Sequence, residues 1–185
     1  MPLGGRVEAP TLRVATLGDA SALQALIAQS ARALCRAWYP SEQIEAALGS
    51  AFGLDTELVQ DATYFVVEAE GRPIGCGGWS RRKTLFGADG RVDREPQLLD
   101  PAVDAARIRA FFVHPDWARR GIGRLVLQRC EDEALLAGFR RAALVATLSG
   151  EPLYRAAGFV AEARIRHPLP GGLVIEFVPM HKDLV

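Results

Sequence analysis

Residues 106–124 read Ala-Arg-Ile-Arg-Ala-Phe-Phe-Val-His-Pro-Asp-Trp-Ala-Arg-Arg-Gly-Ile-Gly-Arg. The run 106–113 is rich in Ile, Phe and Val and stops at His114-Pro115, which predicts a strand followed by a short loop. Gly121 and Gly123 then open an amphipathic helix over 121–137, with Ile122, Leu125, Val126, Cys130 and Ala134 on one face. Residues 142–147 predict another strand, buried on both faces by its composition. Strand, helix and strand make a βαβ unit, which calls for parallel strands and a right-handed crossover.

Upstream, 11–16 predicts a short strand, and Asp19 is placed to cap a helix reaching about Leu34, with Leu23, Leu26, Ile27 and Leu34 as its apolar face. Trp38-Tyr39-Pro40 breaks that helix, and Ser41 caps a second one whose first turn carries Glu42 and Glu45, where the helix dipole favours anions. Residues 62–70 and 73–79 form a hairpin across Gly71 and Arg72. Residues 80–104 are charged and turn-rich, an unusual length between strands, and read either as a functional lid or as a disordered excursion. Downstream, a short helix over 152–157 ends at Gly158, and 160–166 with 173–180 make a last hairpin across 170–172. The element order defines one mixed domain over 1–185, α/β (α+β) in class, with 80–105 as a long loop or lid.

Length and composition agree. A chain of 185 residues, 49% hydrophobic, suits one domain and is too apolar for disorder. Its 22 Lys+Arg balance 22 Asp+Glu, which argues against a nucleic-acid partner, since such a partner demands surplus cations. No apolar run reaches the roughly 20 residues of a membrane span, and the first ten residues lack the apolar stretch of a signal peptide. Cys35, Cys76 and Cys130 fit neither a disulfide framework nor metal-ligand spacing, so they read as buried reduced thiols and no metal is expected. A cytoplasmic protein is the expectation.

The candidate site lies at the start of the helix after the strand 106–113. The first N–H groups of a helix have no intrahelical partners and the dipole is positive there, so a pyrophosphate can dock. Gly121 and Gly123 let an anion approach the amides, and Arg119, Arg120 and Arg124 add positive charge against the dipole, which stability alone would not select. A glycine-rich turn with solvated arginines is the plain alternative. No GxxxxGK[ST] or GxGxxG pattern is present, which disfavours a nucleoside triphosphate or a dinucleotide.

This segment resembles the acyl-CoA pyrophosphate loop of the GNAT superfamily of N-acetyltransferases, (Gln/Arg)-x-x-Gly-x-(Gly/Ala). Gly121 and Gly123 fill the two small positions, whereas Ala118 stands where Gln or Arg is usual. Leu153-Tyr154-Arg-Ala-Ala-Gly158-Phe159 is similar to the family's Tyr-x-x-x-Gly-Phe segment, although the asparagine often found upstream is replaced by Leu148-Ser149-Gly150. The order of elements agrees from about Thr11 to the end.

The resemblance implies two parallel strands that splay apart and admit the pantetheine arm of acetyl-CoA. Backbone groups of Phe111, Phe112 and Val113 would pair with that arm like an added strand, with the Val113 amide facing the thioester oxygen as an oxyanion donor. Arg119, Arg120, Gly121, Ile122, Gly123 and Arg124 would hold the pyrophosphate. Tyr154, by family position, would protonate the departing thiolate, which requires a tyrosine kept neutral and close. For a lysine-like acceptor, deprotonation from pKa 10.4 to neutrality spans about 3.4 units, or roughly 4.6 kcal/mol, so a base or water chain should assist. Arg107 occupies the place of the glutamate some members carry, and Glu68, Glu70, Asp104 and His114 are only candidates.

Trp38, Tyr39 and Trp79 are the candidate acceptor-binding residues, large rings next to a helix break or the long loop. The implied activity is acetyl transfer from acetyl-CoA to a primary amine of a small molecule or peptide. The alternatives are transfer of a longer acyl group and a non-catalytic acyl-CoA sensor or partner-binding module. Many relatives pair through exposed strands, so a homodimer is compatible, with no membrane or nucleic-acid partner.

Overall fold

The computed structural model describes residues 9–90 and 97–185. The expectations on the first eight residues, and on 91–96 of the long loop, lie outside the described residues. The chain starts with β1 (Thr11–Val14), α1 (Ala20–Leu34), α2 (Ser41–Ala47) and α3 (Thr56–Gln60). The hairpin β2 (Tyr64–Ala69) and β3 (Arg72–Ser80) follows, then β4 (Ala106–Val113), α4 (Ile122–Leu136) and β5 (Arg141–Thr147). α5 (Glu151–Ala156), β6 (Val160–Ala161), β7 (Ile165–Pro168) and β8 (Val174–Asp183) complete the fold.

The strands form one sheet in the order β1-β2-β3-β4-β5-β8-β6, with β7 also on β8. All neighbours are antiparallel except β4 and β5. The expected mixed sheet with one parallel pair is therefore present. Its centre is a βαβ unit matching the sequence pattern to within one residue at each strand end.

Several local features differ from expectation. Asp19 stands at the N-cap position of α1 but makes no side-chain cap bond to it: a 3-10 turn at Leu17–Asp19 precedes the helix, and the Asp19 carboxylate accepts instead from the Thr16 N–H, at 2.7 Å to Oδ2. The hairpin turns at Glu70 and Gly71, both at positive φ, which matches the twist of its strands. α3 is additional. β5 is buried on one face only; Val145 and Thr147, on the other, border a cavity.

The long connection between β3 and β4 is anchored at its described ends. Lys83 N–H reaches Gln97 O at 2.9 Å and Leu99 N–H reaches Arg81 O at 2.7 Å, while Ala88 N–H bonds Ser50 O at 2.7 Å. Arg82 pairs with Glu57 and Asp61 at 3.0 and 2.8 Å.

Two core clusters lie on the faces of the sheet. One joins Leu23, Leu26 and Ile27 of α1 to Leu58, Tyr64 and Val66. The other joins Val126, Leu127, Cys130 and Ala134 of α4 to Phe65, Phe139, Leu144 and Met180. The glycines of β3 permit close approach: a β-carbon on Gly75 would lie 2.4 Å from Ile122 Cγ2, and one on Gly77 would lie 2.5 Å from the Phe111 ring. β3 thus lets α4 and a bulged β4 settle directly on the sheet. All three cysteines are buried and unpaired, as read from their spacing.

Candidate active site

β4 and β5 pair only at Ala106 with Ala142 and at Arg107 with Ala143, then separate. β4 stays on β3 throughout, but its register shifts opposite Gly77, where Ala110 adopts φ 57°. This is a β-bulge, an extra residue that bends a strand and re-aims its side chains. Tyr64, fully buried in β2, donates its hydroxyl to Ala110 O at 2.8 Å and pins the bulge. Beyond it, His114 N–H returns to Ile74 O at 2.8 Å. Backbone groups alternate sides along a strand, so those of Phe111 and Val113 face the gap that β5 has left. The Val113 N–H is met there by Ser30 Oγ of α1, at 3.1 Å.

The gap opens into a cavity of about 590 Å3, within the range that holds small ligands. At one end are Ala118, Arg119, Gly121, Ile122, Gly123 and Arg124. Gly121 caps α4 at φ 86°, a conformation that favours glycine, and a β-carbon there would meet nothing within 4 Å. Leu125 N–H closes the first helical bond to Gly121 O at 2.9 Å, so the N–H groups of Ile122, Gly123 and Arg124 precede the ladder.

The two glycines serve different purposes. A β-carbon on Gly123 would sit 3.0 Å from Leu153 Cδ2, so this glycine admits α5, whereas Gly121 keeps the loop open. Arg119 is exposed and itself at φ 64°. The Arg120 guanidinium stacks 5.3 Å from the Trp117 ring centre, and Arg124 Nη1 donates to Ala156 O at 3.1 Å.

Tyr154 of α5 is buried and lines the same cavity, with the Phe111 and Phe159 rings edge-on at 6.0 and 5.8 Å. Burial raises its pKa well above that of a free tyrosine, so the phenol is neutral at any physiological pH. Its hydroxyl has no hydrogen-bond partner among the described residues. Beside it runs a polar chain: Cys35 Sγ to Ser149 Oγ at 3.3 Å, and Ser149 Oγ to Thr147 Oγ1 at 3.0 Å. Burial pushes the Cys35 thiol up, so it is protonated near neutrality.

The far end of the cavity is aromatic. Phe52, Phe86 and Phe177 border it, with Phe86 and Phe177 at 5.5 Å and Phe52 and Phe177 at 6.1 Å. Arg109, buried and paired with the fully buried Asp55, forms part of the wall. No Asp or Glu among the described residues lines this cavity.

The acceptor candidates separate in space. Trp38 is half-exposed and borders both this cavity and a second one of about 390 Å3 that includes Gln43, Arg166 and Glu176. Tyr39 borders only the second, and its hydroxyl is consumed by Leu148 N–H at 2.8 Å and Glu176 O at 2.7 Å, a brace between the α1–α2 connection and the sheet side of the molecule. Trp79 lines neither: it is buried against Phe139 and donates to Glu133 at 3.2 Å. The candidate bases also lie elsewhere. Glu68 pairs with Arg13 at 2.5 Å, Glu70 with Arg72 at 3.6 Å, Asp104 accepts from Asp100 N–H at 2.8 Å, and His114 Nδ1 accepts from Asp116 N–H at 3.2 Å.

Ser30, Phe52, Phe86, Arg109 and Phe177 are lining residues that local sequence patterns did not single out. Ser30 carried the one available signal, a hydroxyl on an otherwise apolar helix face.

The cavity thus joins an opened strand pair, a helix start with no side-chain cap and a buried tyrosine. The family model described as Acetyltransferase (GNAT) family matches residues 27–159, and the chain belongs to that family. Among solved structures, a GCN5-related N-acetyltransferase from Rhodopseudomonas palustris is similar over 97% of this chain and 98% of its own, at TM-score 0.70 and 21% identity. The PaiA N-acetyltransferase of Thermoplasma acidophilum, solved with coenzyme A, is similar over 95% and 99%, at TM-score 0.64 and 15% identity. YncA of Salmonella typhimurium, a putative acetyltransferase solved with acetyl-CoA, is similar over 96% and 95%, at TM-score 0.61 and 17% identity. No curated protein matches the chain. Among the described residues, no helix is long and apolar enough to cross a membrane.

Proposed function

We propose that this protein transfers an acetyl group from acetyl-CoA to a primary amine. The observation that carries the reading is the divergence of β5 from β4 after two paired positions, directly in line with the open start of α4. The residues present fit the donor. The N–H groups of Ile122, Gly123 and Arg124, with the exposed Arg119 and Arg120 nearby, would hold its diphosphate. The outward peptide groups of Phe111 and Val113 would take its amide-bearing arm as a strand takes a neighbour. Bound acetyl-CoA supplies an activated thioester: its carbonyl carbon bonds to the neutral amine, its bond to sulfur breaks, and the proton that the amine sheds passes to water, since no carboxylate lines the cavity among the described residues.

The chain's own contribution is positional and electrostatic. The Val113 N–H expected to meet the thioester oxygen is engaged by Ser30 Oγ at 3.1 Å, which leaves the Phe111 N–H as the gap-facing β4 donor toward negative charge developing in a largely apolar cavity, where such bonds are strong. Tyr154 is neutral and can donate a proton to sulfur. Its raised pKa makes that transfer uphill in free energy unless the leaving thiolate is desolvated by the same apolar walls, which raises its basicity in turn.

The aromatic end, without a carboxylate among the described lining residues, suits an amine on an apolar body better than a polycation, and Trp38 stands at its mouth. Incubation with acetyl-CoA and a panel of aromatic, aliphatic and polycationic amines, read as free thiol released, tests this. Turnover with apolar amines is expected. CoA binding without turnover across the panel would instead mark a sensor.

A further inference from the structure

Ser30 occupies a position of α1 that its neighbours mark as core, one turn from Leu26 and Ile27 and four residues before Leu34. It is 4% exposed, yet it borders the cavity. A hydroxyl buried among apolar groups is costly unless it is used. Its oxygen is used, by Val113 N–H at 3.1 Å. A serine has one proton to give as well. Near the end of α2, Ser50 spends its proton on the carbonyl four residues back, Ala46 O at 3.0 Å. Ser30 makes no such bond with any described residue, so its proton is left for an occupant of the cavity.

We infer that Ser30 is a binding residue for acyl-CoA, its Oγ–H donating to a carbonyl of the bound acyl-pantetheine arm. The hydroxyl thereby takes over the place expected for the Val113 N–H, which donates to Ser30 in turn. A hydroxyl that accepts a hydrogen bond is polarised and becomes a better donor, so the pair acts as a two-step relay from β4 to ligand. The inference rests on the acyl-CoA reading above and adds to it a residue from outside strand and loop.

The test is calorimetric binding of two ligands to wild type and Ser30→Ala: acetyl-CoA, which carries the thioester carbonyl, and adenosine 3′-phosphate 5′-diphosphate, which keeps the phosphates and lacks the arm. Ser30→Ala should weaken acetyl-CoA about three- to tenfold, the range for one net hydrogen bond, and leave the arm-less ligand unchanged. Equal affinity of the variant for acetyl-CoA, tighter binding, or an equal loss for both ligands would overturn the inference. Should Ser30→Ala fail to fold, Ser30→Cys, a weak donor of similar size, carries the same expectations. Wild type that binds neither ligand would instead refute the acyl-CoA site, and the inference with it.

Discussion

The hydroxyl of Tyr64 donates to the carbonyl of Ala110 at 2.8 Å, tying the buried second strand to the bulge of the fourth. Ala110 is a non-glycine residue at φ 57°, a conformation that costs of order 1 kcal/mol or more and persists only where neighbours enforce it. Tyr64→Phe should lower unfolding free energy in urea by about 1–2 kcal/mol, because a buried carbonyl loses its donor. It should also weaken CoA binding, since Phe111 and Val113 are aimed by the bulge. Loss of stability with undiminished CoA affinity would show that the bulge does not aim the cleft.

The two glycines of the α4 loop should fail in different ways. Gly121→Val places a β-branched residue at φ 86° and should weaken CoA binding at least tenfold with reduced stability. Gly123→Ala puts a methyl 3.0 Å from Leu153 Cδ2, so the thermal midpoint should fall while the open side of the loop is retained. Titration calorimetry beside thermal unfolding separates the two; identical binding losses would refute the division of roles.

How much of this was legible in advance varies with range. The strand of 106–113, its helix and the strand after it were readable because a β-rich run ended by His-Pro and a glycine pair opening an amphipathic helix are local signals. α3, five residues long, is too short for periodicity to show. Asp19 carried a correct signal for a helix start, displaced by one 3-10 turn. The aromatic end of the cavity joins Phe52, Phe86 and Phe177 from a loop, the long connection and the last strand, and no local pattern links them. Trp79 read as a pocket ring because it ends a strand, but the Phe139 ring and Glu133 give it an internal partner.

Tyr154→Phe should reduce turnover by about tenfold to a thousandfold and change CoA affinity by less than threefold, since the ring contacts with Phe111 and Phe159 survive. Steady-state kinetics beside equilibrium binding reads the difference. Full turnover in the variant would remove Tyr154 as the proton donor.

Acid should destabilise the fold in a defined window. Arg13 holds the Asp19 carboxyl well below the usual carboxylate range, and Arg82 lowers that of Asp61. A depressed carboxyl contributes stability that is complete above the unfolded pKa, about 3.9, and lost as pH falls through the folded value. Urea unfolding should thus give stability that declines below about pH 4, and Asp19→Asn should flatten that decline. An unchanged acid slope in the variant would contradict the Arg13–Asp19 assignment.

The most direct measurement is an amide chemical-shift titration of the labelled protein with CoA. Saturable shifts concentrated at Phe111, Val113, Ile122, Gly123 and Arg124 are predicted. Millimolar CoA that leaves those amides unmoved, or moves only residues remote from the opened strand pair, would contradict the proposed site.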